Sequence, residues 1–310
     1  MDDSPTTPDS TEPLEGRVIK SFGSRFIVMT AHGTFDCSLR GRFRLDAGKV
    51  INPIAVGDHV EITVEDPPYG VIDNLQPRRN KLSRPDIINP DREQILVANC
   101  DQLIVVGAIA QPRFKTGAID RFLLSAEKNG IAGVVVINKT DLAKPQQVEK
   151  LTEVYEAAGY AVVATSTVSG AGIERLREIL RFKTSMICGH SGVGKSSLIN
   201  ALQPGLAVET GEVSEATGKG IHTTTTIELH PLEFGGYIVD TPGIRVIGIW
   251  ELRADELPEL YPEFRALLGQ CRFRNCVHIG EPDCAIKKAV DAGRINRERY
   301  DGYLRIRGSL

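Results

Sequence analysis

Short runs of β-type residues fill the chain from Leu14 to about Arg84. The runs 33–39 and 59–64 alternate apolar and polar residues, and the runs 16–20, 25–29 and 70–75 have β-like composition with turn residues between them. Five short strands within about 70 residues are typical of a small β-barrel, and an OB-fold is the barrel that they favour.

From residue 85 onward, continuous apolar runs alternate with amphipathic stretches. On the stretch 118–129, Ile119, Phe122, Leu123 and Ala126 share one helix face. Alternating strands and helices indicate a parallel α/β domain. Strands are predicted at 102–106, 133–137, 160–164 and 185–188, and helices at 118–129, 146–158 and 196–202.

The two ends of the chain differ from this pattern. Residues 1–13 are mostly Asp, Ser, Thr and Pro without apolar periodicity, which predicts a disordered tail. Residues 258–268 and 285–304 are predicted helices. The chain is therefore divided into a tail (1–13), an OB-fold domain (14–84), an α/β domain (85–247) and a helical C-terminal domain (248–310).

Composition limits the class of protein. The chain has 310 residues, of which 41% are hydrophobic and 25% charged, as in a globular protein. It contains no apolar run near the roughly 18 residues of a membrane span and no secretory signal, so a cytoplasmic protein without membrane contact is expected. The net charge of −3 gives no global attraction to nucleic acid, although bases cluster at Arg40, Arg42 and Arg44 and at Arg78, Arg79, Lys81 and Arg84. These clusters are either phosphate contacts or ordinary surface charge.

One glycine-rich stretch fits the phosphate-binding loop of nucleoside triphosphatases. It follows an apolar strand and precedes a helical pattern, and its residues are Gly189, His190, Ser191, Gly192, Val193, Gly194, Lys195, Ser196 and Ser197. In such a loop backbone N–H groups bind phosphate oxygens, Lys195 reaches the β- and γ-phosphates and the Ser196 hydroxyl binds Mg²⁺. The alternative is an ordinary glycine-rich turn.

A second motif points to guanine. Asn138, Lys139, Thr140 and Asp141 follow a valine-rich strand and match Asn-Lys-x-Asp. The Asp141 carboxylate can accept from N1–H and from the exocyclic amine of guanine, a pair that adenine lacks. Asn138 can address the opposite edge of the base, and the Lys139 stem can cover the ring. A turn with a helix cap is the alternative. The loop 165–167 is a looser match to a third guanine-binding segment, with Ser166 as its candidate residue.

The order of the motifs is unusual for a GTPase. The base-recognition motifs precede the phosphate loop, which indicates a circularly permuted domain whose original termini are joined. The chain then leaves this domain directly after the second switch and enters the C-terminal region.

Both switches are identifiable. Within the threonine-rich segment 217–226, Thr224 is the preferred Mg²⁺ ligand and Thr223 the second choice. In Asp-Thr-Pro-Gly, Asp240 would hold Mg²⁺ through water and the Gly243 amide would meet the γ-phosphate. Ile244 stands where many GTPases carry a glutamine that orients water, so slow intrinsic hydrolysis is expected. His222 is the best substitute, and a solvent-facing loop histidine is the alternative.

The C-terminal region contains a candidate metal site. Cys271, Cys276, His278 and Cys284 supply three sulfurs and one imidazole, which can close a tetrahedral Zn²⁺ site. Three reduced cysteines beside an incidental histidine are the competing interpretation. The surrounding sequence is basic, which suits RNA contact.

Together these motifs resemble the RsgA (YjeQ) family of ribosome small-subunit-dependent GTPases. The resemblance covers nearly the whole chain beyond the tail. It implies hydrolysis of GTP to GDP and phosphate, stimulated by the small (30S) subunit during late maturation, by a monomer whose OB-fold and zinc domains grip 16S rRNA. It also implies that His222 is catalytic and that the Cys3His set holds one structural Zn²⁺. The loop 165–167 departs from the usual Ser-Ala-like sequence, which weakens that assignment alone. An RNA-docking nucleotide switch and a GTPase with a non-ribosomal partner are the rival functions.

Overall fold

The computed structural model describes residues 13–41, 43, 50–86, 88–206, 227–240 and 252–310. Five strands form an N-terminal barrel, with β1 paired to β2 and to β4, and β3 paired in parallel to β5. Val18, Val28 and Ile62 are among its fully buried core residues. The predicted OB-fold is confirmed. The strands are β1 (Leu14–Phe22), β2 (Arg25–Thr30), β3 (Gly33–Leu39), β4 (His59–Asp66) and β5 (Tyr69–Leu75).

After the barrel comes a β-hairpin, which the sequence pattern did not predict. β6 (Lys81–Pro85) pairs antiparallel with β7 (Glu93–Ala98). The Ala98 N–H donates to the carbonyl of Val56, 2.9 Å away, so the hairpin is bonded to the chain of the barrel. β6 includes residue 84, the expected end of the first domain, and therefore runs across that expected boundary.

The central domain is an α/β sheet covered on both faces. Strands β10, β9, β8, β11 and β13 are parallel neighbours in that order, and β12 is antiparallel at the side of β13. Along β8, Val105 packs with α1 and α2 on one face, whereas Ile104 and Val106 pack with α3 and α4 on the other. Its elements are β8 (Gln102–Ala108), α1 (Thr116–Lys128), β9 (Ala132–Asn138), α2 (Pro145–Glu156), β10 (Ala161–Ala164), α3 (Ile173–Leu180), β11 (Thr184–Cys188), α4 (Lys195–Leu202), β12 (Glu228–Pro231) and β13 (Tyr237–Asp240).

The barrel and the central domain share one continuous sheet. β1 pairs antiparallel with β12 at Lys20 and Glu228, which makes a sheet of 11 strands, and the same two side chains form an ion pair at 2.6 Å. Arg17 of β1 donates to the Thr184 hydroxyl at 2.9 Å and lies over the Tyr237 ring. The barrel is therefore fixed to the edge strand that follows the predicted first switch in the chain.

The C-terminal region is helical, but the predicted helix over 285–304 is wrong in its middle. The chain forms α6 (Ala285–Asp291) and then α7 (Arg297–Arg307). Between them Gly293 has a φ of 71°, which ends the first helix, and the Asn296 side chain accepts the Glu298 N–H to begin the second. The predicted helix over 258–268 is also shorter, a 3-10 turn Leu257–Leu260 followed by α5 (Pro262–Arg265).

Helix α7 joins the C-terminal region to α1 of the central domain through a buried cation. The Arg299 side chain is 1% exposed, donates to Asp120 of α1 and pairs with Glu263 of α5 at 2.7 Å. Its guanidinium also lies 4.8 Å from the ring centre of Tyr261 and 5.7 Å from that of Tyr155. A planar cation between two carboxylates and aromatic faces is well paired, so the two regions are held in one arrangement.

Candidate functional site

The predicted nucleotide motifs meet at one edge of the central sheet. The carboxyl ends of β10, β9, β11 and β13 lead to the loop 165–167, to Asn138, to Gly189 and to Asp240. These strands and β8 run parallel, so their carboxyl ends lie at the same edge. β8 and β11 are adjacent, and the chain proceeds from them in opposite directions across the sheet, which is where open α/β sheets bind ligands.

The phosphate loop depends on glycines at its two ends. Gly189 has a φ of 144° and a Cβ there would lie 2.2 Å from the Val106 carbonyl oxygen. Gly194 has a φ of 93° and a Cβ there would lie 2.4 Å from the Asn138 side-chain nitrogen. Gly194 is also the N-cap of α4, which has no side-chain cap and no acidic residue in its first turn. The first N–H groups of α4 are thus left without an acidic partner of their own helix, as a phosphate site requires.

The other loop residues take the places that the motif predicts. Lys195 starts α4, and its ammonium donates to the carbonyls of Gly189 at 2.8 Å and His190 at 3.0 Å. The Val193 side chain is buried in the core beside α4 and anchors the loop. Ser196 is the second residue of the helix and is half-buried, whereas Ser191, Gly192 and Ser197 are exposed.

Asn138 and Lys139 connect the guanine motif to the phosphate loop. The Asn138 side chain is 1% exposed. It donates to the Val193 carbonyl at 2.9 Å and accepts from the Thr165 hydroxyl at 3.0 Å, so it links three loops instead of lying open toward a base edge. The Lys139 ammonium donates to the carbonyls of Gln111 and, at 2.6 Å, Gly192. Its stem therefore spans the gap between the two motifs, where it can cover a base.

Asp141 is exposed but held in place. The buried Ser166 hydroxyl donates to Asp141 Oδ1 at 2.5 Å and accepts N–H groups from Val168 and Ser169. Thr140 donates twice to the Thr165 carbonyl, at 3.1 Å from both its N–H and its hydroxyl. The loop 165–167 thus orients the carboxylate through a serine side chain.

The same loop contains a residue that the sequence reasoning missed. The N–H groups of Thr165 and Ser166 donate to the carbonyls of Ile137 and Ala171. No hydrogen bond from the Thr167 N–H to a described residue is present, so Thr167 is the amide of this loop that can meet a base oxygen. The motif pattern alone identifies the loop, but it does not show which backbone N–H is free to bind the base.

The switch residues mostly lie outside the described part of the chain. These are His222, Thr223, Thr224, Gly243 and Ile244. For Asp240 the backbone is described: it ends β13 and pairs with Glu228 of β12, directly after Val239, which pairs with Met186 of β11. This places it one strand from the phosphate loop.

The four predicted metal ligands come together. The ligand atoms of Cys271, Cys276, His278 and Cys284 all lie within 4.8 Å of one another. His278 Nδ1 is 3.5 Å from the Cys271 sulfur and 3.4 Å from the Cys284 sulfur, and these two sulfurs are 4.0 Å apart. Zn–S bonds of about 2.3 Å in a tetrahedron put ligand atoms about 3.5–3.8 Å apart. The donor set and its spacing therefore fit Zn²⁺.

Groups behind the ligands keep them in position. The Tyr300 and Tyr303 hydroxyls donate to the carbonyls of His278 and Val277, each at 2.7 Å. Burial acts to raise the pKa of Glu281, but backbone N–H groups, among them that of Val277 at 2.7 Å, lower it to about 2. The ionised Glu281 thus ties down the loop that carries His278.

The other three cysteines are buried in the barrel and the central sheet. Burial raises the pKa of Cys37 to about 12 and that of Cys100 to about 11, and raises the pKa of Cys188 further. They are therefore protonated core residues.

Most of the second basic cluster is used inside the protein. Arg78 pairs at 2.6 Å with the fully buried Asp58, Arg79 with Asp101 at 2.6 Å, and Lys81 with Glu93 at 2.6 Å. These pairs hold the barrel, the hairpin and the central sheet together, which weakens their interpretation as phosphate contacts. In the first cluster Arg40 pairs with Asp73, and Arg42 and Arg44 lie outside the described residues.

Among the described residues, no helix is long and apolar enough to cross a membrane.

Comparison with known proteins agrees with the motifs. The RsgA GTPase family model matches residues 75–250, and the RsgA N-terminal domain model matches residues 15–72. The protein named small ribosomal subunit biogenesis GTPase RsgA of Gemmatimonas aurantiaca is 43% identical over 97% of this chain and 98% of its own length. Its namesake from Caldanaerobacter subterraneus subsp. tengcongensis is 42% identical over 94% of each chain.

Two solved structures have the same fold. YjeQ from Thermotoga maritima has a TM-score of 0.79 and 38% identity, covering 96% of this chain and 99% of its own. YloQ, described as a circularly permuted GTPase, has a TM-score of 0.74 and 30% identity, covering 98% and 97%. The permuted architecture predicted from motif order is thereby confirmed.

Proposed function

The chain belongs to the RsgA family of GTPases, and from that premise we propose that it hydrolyses GTP to GDP and phosphate while bound to the small ribosomal subunit, late in the maturation of that subunit. The observation that carries the proposal is the meeting of permuted sequence motifs at one sheet edge, with Asn138 bonded to both neighbouring loops.

Guanine recognition rests on Asp141. Its carboxylate accepts from N1–H and from the exocyclic amine, while Ser166 fixes its orientation. The Thr167 N–H donates to the base oxygen, and the Lys139 stem covers the ring. Asn138 and Thr140 contribute by holding the loops together. Adenine offers no matching pair of donors, so the Asp141 carboxylate would be left unsatisfied against the bound base, which costs affinity.

The triphosphate lies on the loop from Gly189 to Ser197. Backbone N–H groups at the start of α4 bind its oxygens, and Lys195 pairs with the β- and γ-phosphates. The Ser196 hydroxyl and Asp240, which come from adjacent elements at the same sheet edge, are suited to Mg²⁺. A Mg²⁺ ion held by these residues would neutralise charge that develops on the phosphates. Thr224 and the Gly243 amide complete this set in the proposal.

Hydrolysis depends on a residue that orients water. The Ile244 side chain can neither donate nor accept a hydrogen bond, and we assign the orientation of water to His222. Intrinsic turnover is therefore slow, and the small subunit increases it by positioning His222 beside the attacking water.

The zinc site and the two flanking domains support the GTPase domain and bind its partner. Zn²⁺ on Cys271, Cys276, His278 and Cys284 is structural, since four protein ligands leave no open position. The barrel (14–84) and the C-terminal domain (248–310) flank the GTPase domain (85–247) and contact 16S rRNA. The protein acts as a cytoplasmic monomer.

The test is GTP turnover with and without purified small subunits. We expect strong stimulation by the subunit and negligible turnover of ATP. Equal rates with and without subunits would remove the ribosomal assignment, and comparable ATP turnover would contradict guanine recognition.

A further inference from the structure

A cleft of about 480 Å³ lies at the seam between the GTPase domain and the C-terminal domain. One wall is the segment before α1 and its first turn, another is α2, and the third is α7. Ile109, Phe114, Leu151 and Val154 supply its apolar lining. The cleft is separate from the sheet-edge residues assigned to GTP.

The charged side chains in this cleft are predominantly positive. Arg113, Lys115, Lys150 and Arg305 line it, and Glu298 is the only carboxylate among the lining residues. All four cations are exposed, and none forms an ion pair with a described residue. This differs from the second basic cluster of the barrel, where Arg78, Arg79 and Lys81 are paired. Four unpaired cations that converge from three elements attract a polyanion.

The walls of the cleft are fixed relative to each other. Arg299, one residue from Glu298 on α7, is buried against Asp120 of α1 and lies over the ring of Tyr155 on α2. The same cation thus contacts both helices of the GTPase domain that line the cleft. A ligand would meet cations whose backbone positions are already fixed, which lowers the cost of binding.

The cleft also adjoins the nucleotide site through the segment 109–115. The Ile109 N–H donates to the Asn138 carbonyl at 2.9 Å, and the Gln111 carbonyl accepts from Lys139. An occupant of the cleft therefore rests on the segment that holds the guanine motif.

We propose that this cleft binds the sugar–phosphate backbone of RNA in the small ribosomal subunit, an inference that rests on the proposed function. Exposed lysines and arginines hold a single small anion weakly, whereas a polymer gains from several phosphate contacts together. The cleft is open, which admits a strand, and its cations come from both domains. RNA bound here bridges the GTPase domain and the zinc domain.

The experiment measures binding of the full chain to small subunits and to protein-free small-subunit rRNA, from about 50 to 300 mM KCl. Each lost phosphate contact reduces the slope of log K against log salt by about 0.9 for duplex and about 0.7 for single strands. For Lys115→Gln/Lys150→Gln we expect a slope shallower by about 1.4–1.8 and affinity weaker by on the order of ten-fold at low salt. Intrinsic GTP binding should not change.

Two variants serve as controls. Arg181→Gln removes an exposed cation without a described ion pair, on the loop after α3 and outside the cleft, and should leave the slope unchanged. Glu298→Gln removes the cleft carboxylate and should strengthen binding.

The outcomes separate the two levels of the proposal. If the unmodified protein binds neither subunits nor rRNA, the proposed function fails. If it binds and the double variant keeps the same slope, the cleft assignment alone is overturned. If the double variant binds subunits more weakly but binds protein-free rRNA as well as the unmodified protein does, the occupant of the cleft is an acidic ribosomal protein. That result would also overturn the assignment.

Discussion

Asp141 and Asn138 show how single residues of the nucleotide site depend on neighbours from other loops. The carboxylate expected to recognise guanine is exposed, and a serine 25 residues along the chain fixes it. The asparagine of the same motif is buried and bonded to a carbonyl 55 residues away. Both contacts preorganise the site, so changes behind the base-binding atoms should affect GTP affinity.

Replacing Ser166 by Ala should weaken GTP binding. The Asp141 carboxylate would lose a charge-assisted hydrogen bond and its fixed orientation, at a cost of about 1–2 kcal/mol, or roughly 5- to 30-fold in Kd. Titration with a fluorescent GTP analogue measures it. Ser169→Ala is the matched control because Ser169 is exposed on the same loop and its hydroxyl only accepts an N–H from Ala171 at 3.4 Å. Equal affinities of the two variants would show that the Ser166 contact is not used.

Asp141→Asn should change the base that is preferred. The amide cannot accept from both guanine donors, and we expect GTP affinity to fall by about 3 kcal/mol, over 100-fold. Xanthine carries an oxygen in place of the exocyclic amine, so the asparagine N–H can donate to it and XTP should bind better than GTP. Competition between GTP, XTP and ATP decides the matter. A variant that kept its preference for GTP would contradict the assigned role of Asp141.

The motif residues were predictable from sequence because phosphate and guanine chemistry fix both residue type and spacing. The Asn-Lys-Thr-Asp and Gly-rich segments lie where those patterns place them. The partners of Asn138 and the function of Ser166 were not predictable, since they arise from loops brought together by parallel strands. Arg78, Arg79 and Lys81 illustrate the reverse: their charges suggested RNA, and tertiary contacts use them in ion pairs.

At the scale of elements, one buried arginine joins α7 to α1. Arg299 has two carboxylate partners and aromatic rings around it, and Gly302 on α7 lets Asp120 approach, since a Cβ there would lie 2.4 Å from Asp120 Oδ2. Burial acts to raise the pKa of Asp120, and the adjacent guanidinium opposes this. Sequence periodicity placed a helix here but predicted it as continuous from 285, because a single Gly293 does not reveal its positive φ.

Arg299→Ala should destabilise the protein strongly. It leaves Asp120 and Glu263 buried without their cation, which costs about 3–5 kcal/mol. Urea unfolding followed by circular dichroism gives the value. Arg297→Ala on the same helix removes an exposed pair with Asp301 at 3.2 Å and should cost no more than about 0.5 kcal/mol. If Arg299→Ala lowered the free energy of unfolding as little as Arg297→Ala does, the buried network would contribute little to stability.

At the scale of the whole molecule, both flanking domains connect to the strands beside the predicted switches. β12 follows the segment 207–226 in the chain and pairs with β1 of the barrel, whereas β13 leads through 241–251 to the zinc domain. The permutation that motif order predicted is what creates the second connection. The first one, the 11-stranded sheet, was not predictable, because strand pairing between domains leaves no local pattern in the sequence.

Removing the metal should destabilise the zinc domain and leave the GTPase domain folded. Metal binding contributes directly to folding free energy, and the core of the C-terminal domain includes Leu124 of α1 beside its own aromatic residues. A zinc chelator, or Cys276→Ser, should therefore expose residues 252–310 to trypsin.

GTP affinity should stay within about three-fold after loss of the metal, because no described residue assigned to GTP lies in that domain. Subunit-stimulated turnover should fall by about ten-fold or more, since the domain that we propose to contact RNA is lost. Cys37→Ala, a buried cysteine of the barrel, is the control and should keep both metal content and stimulation. Unchanged proteolysis after chelation would contradict a structural zinc, and loss of GTP binding would contradict the independence of the two sites.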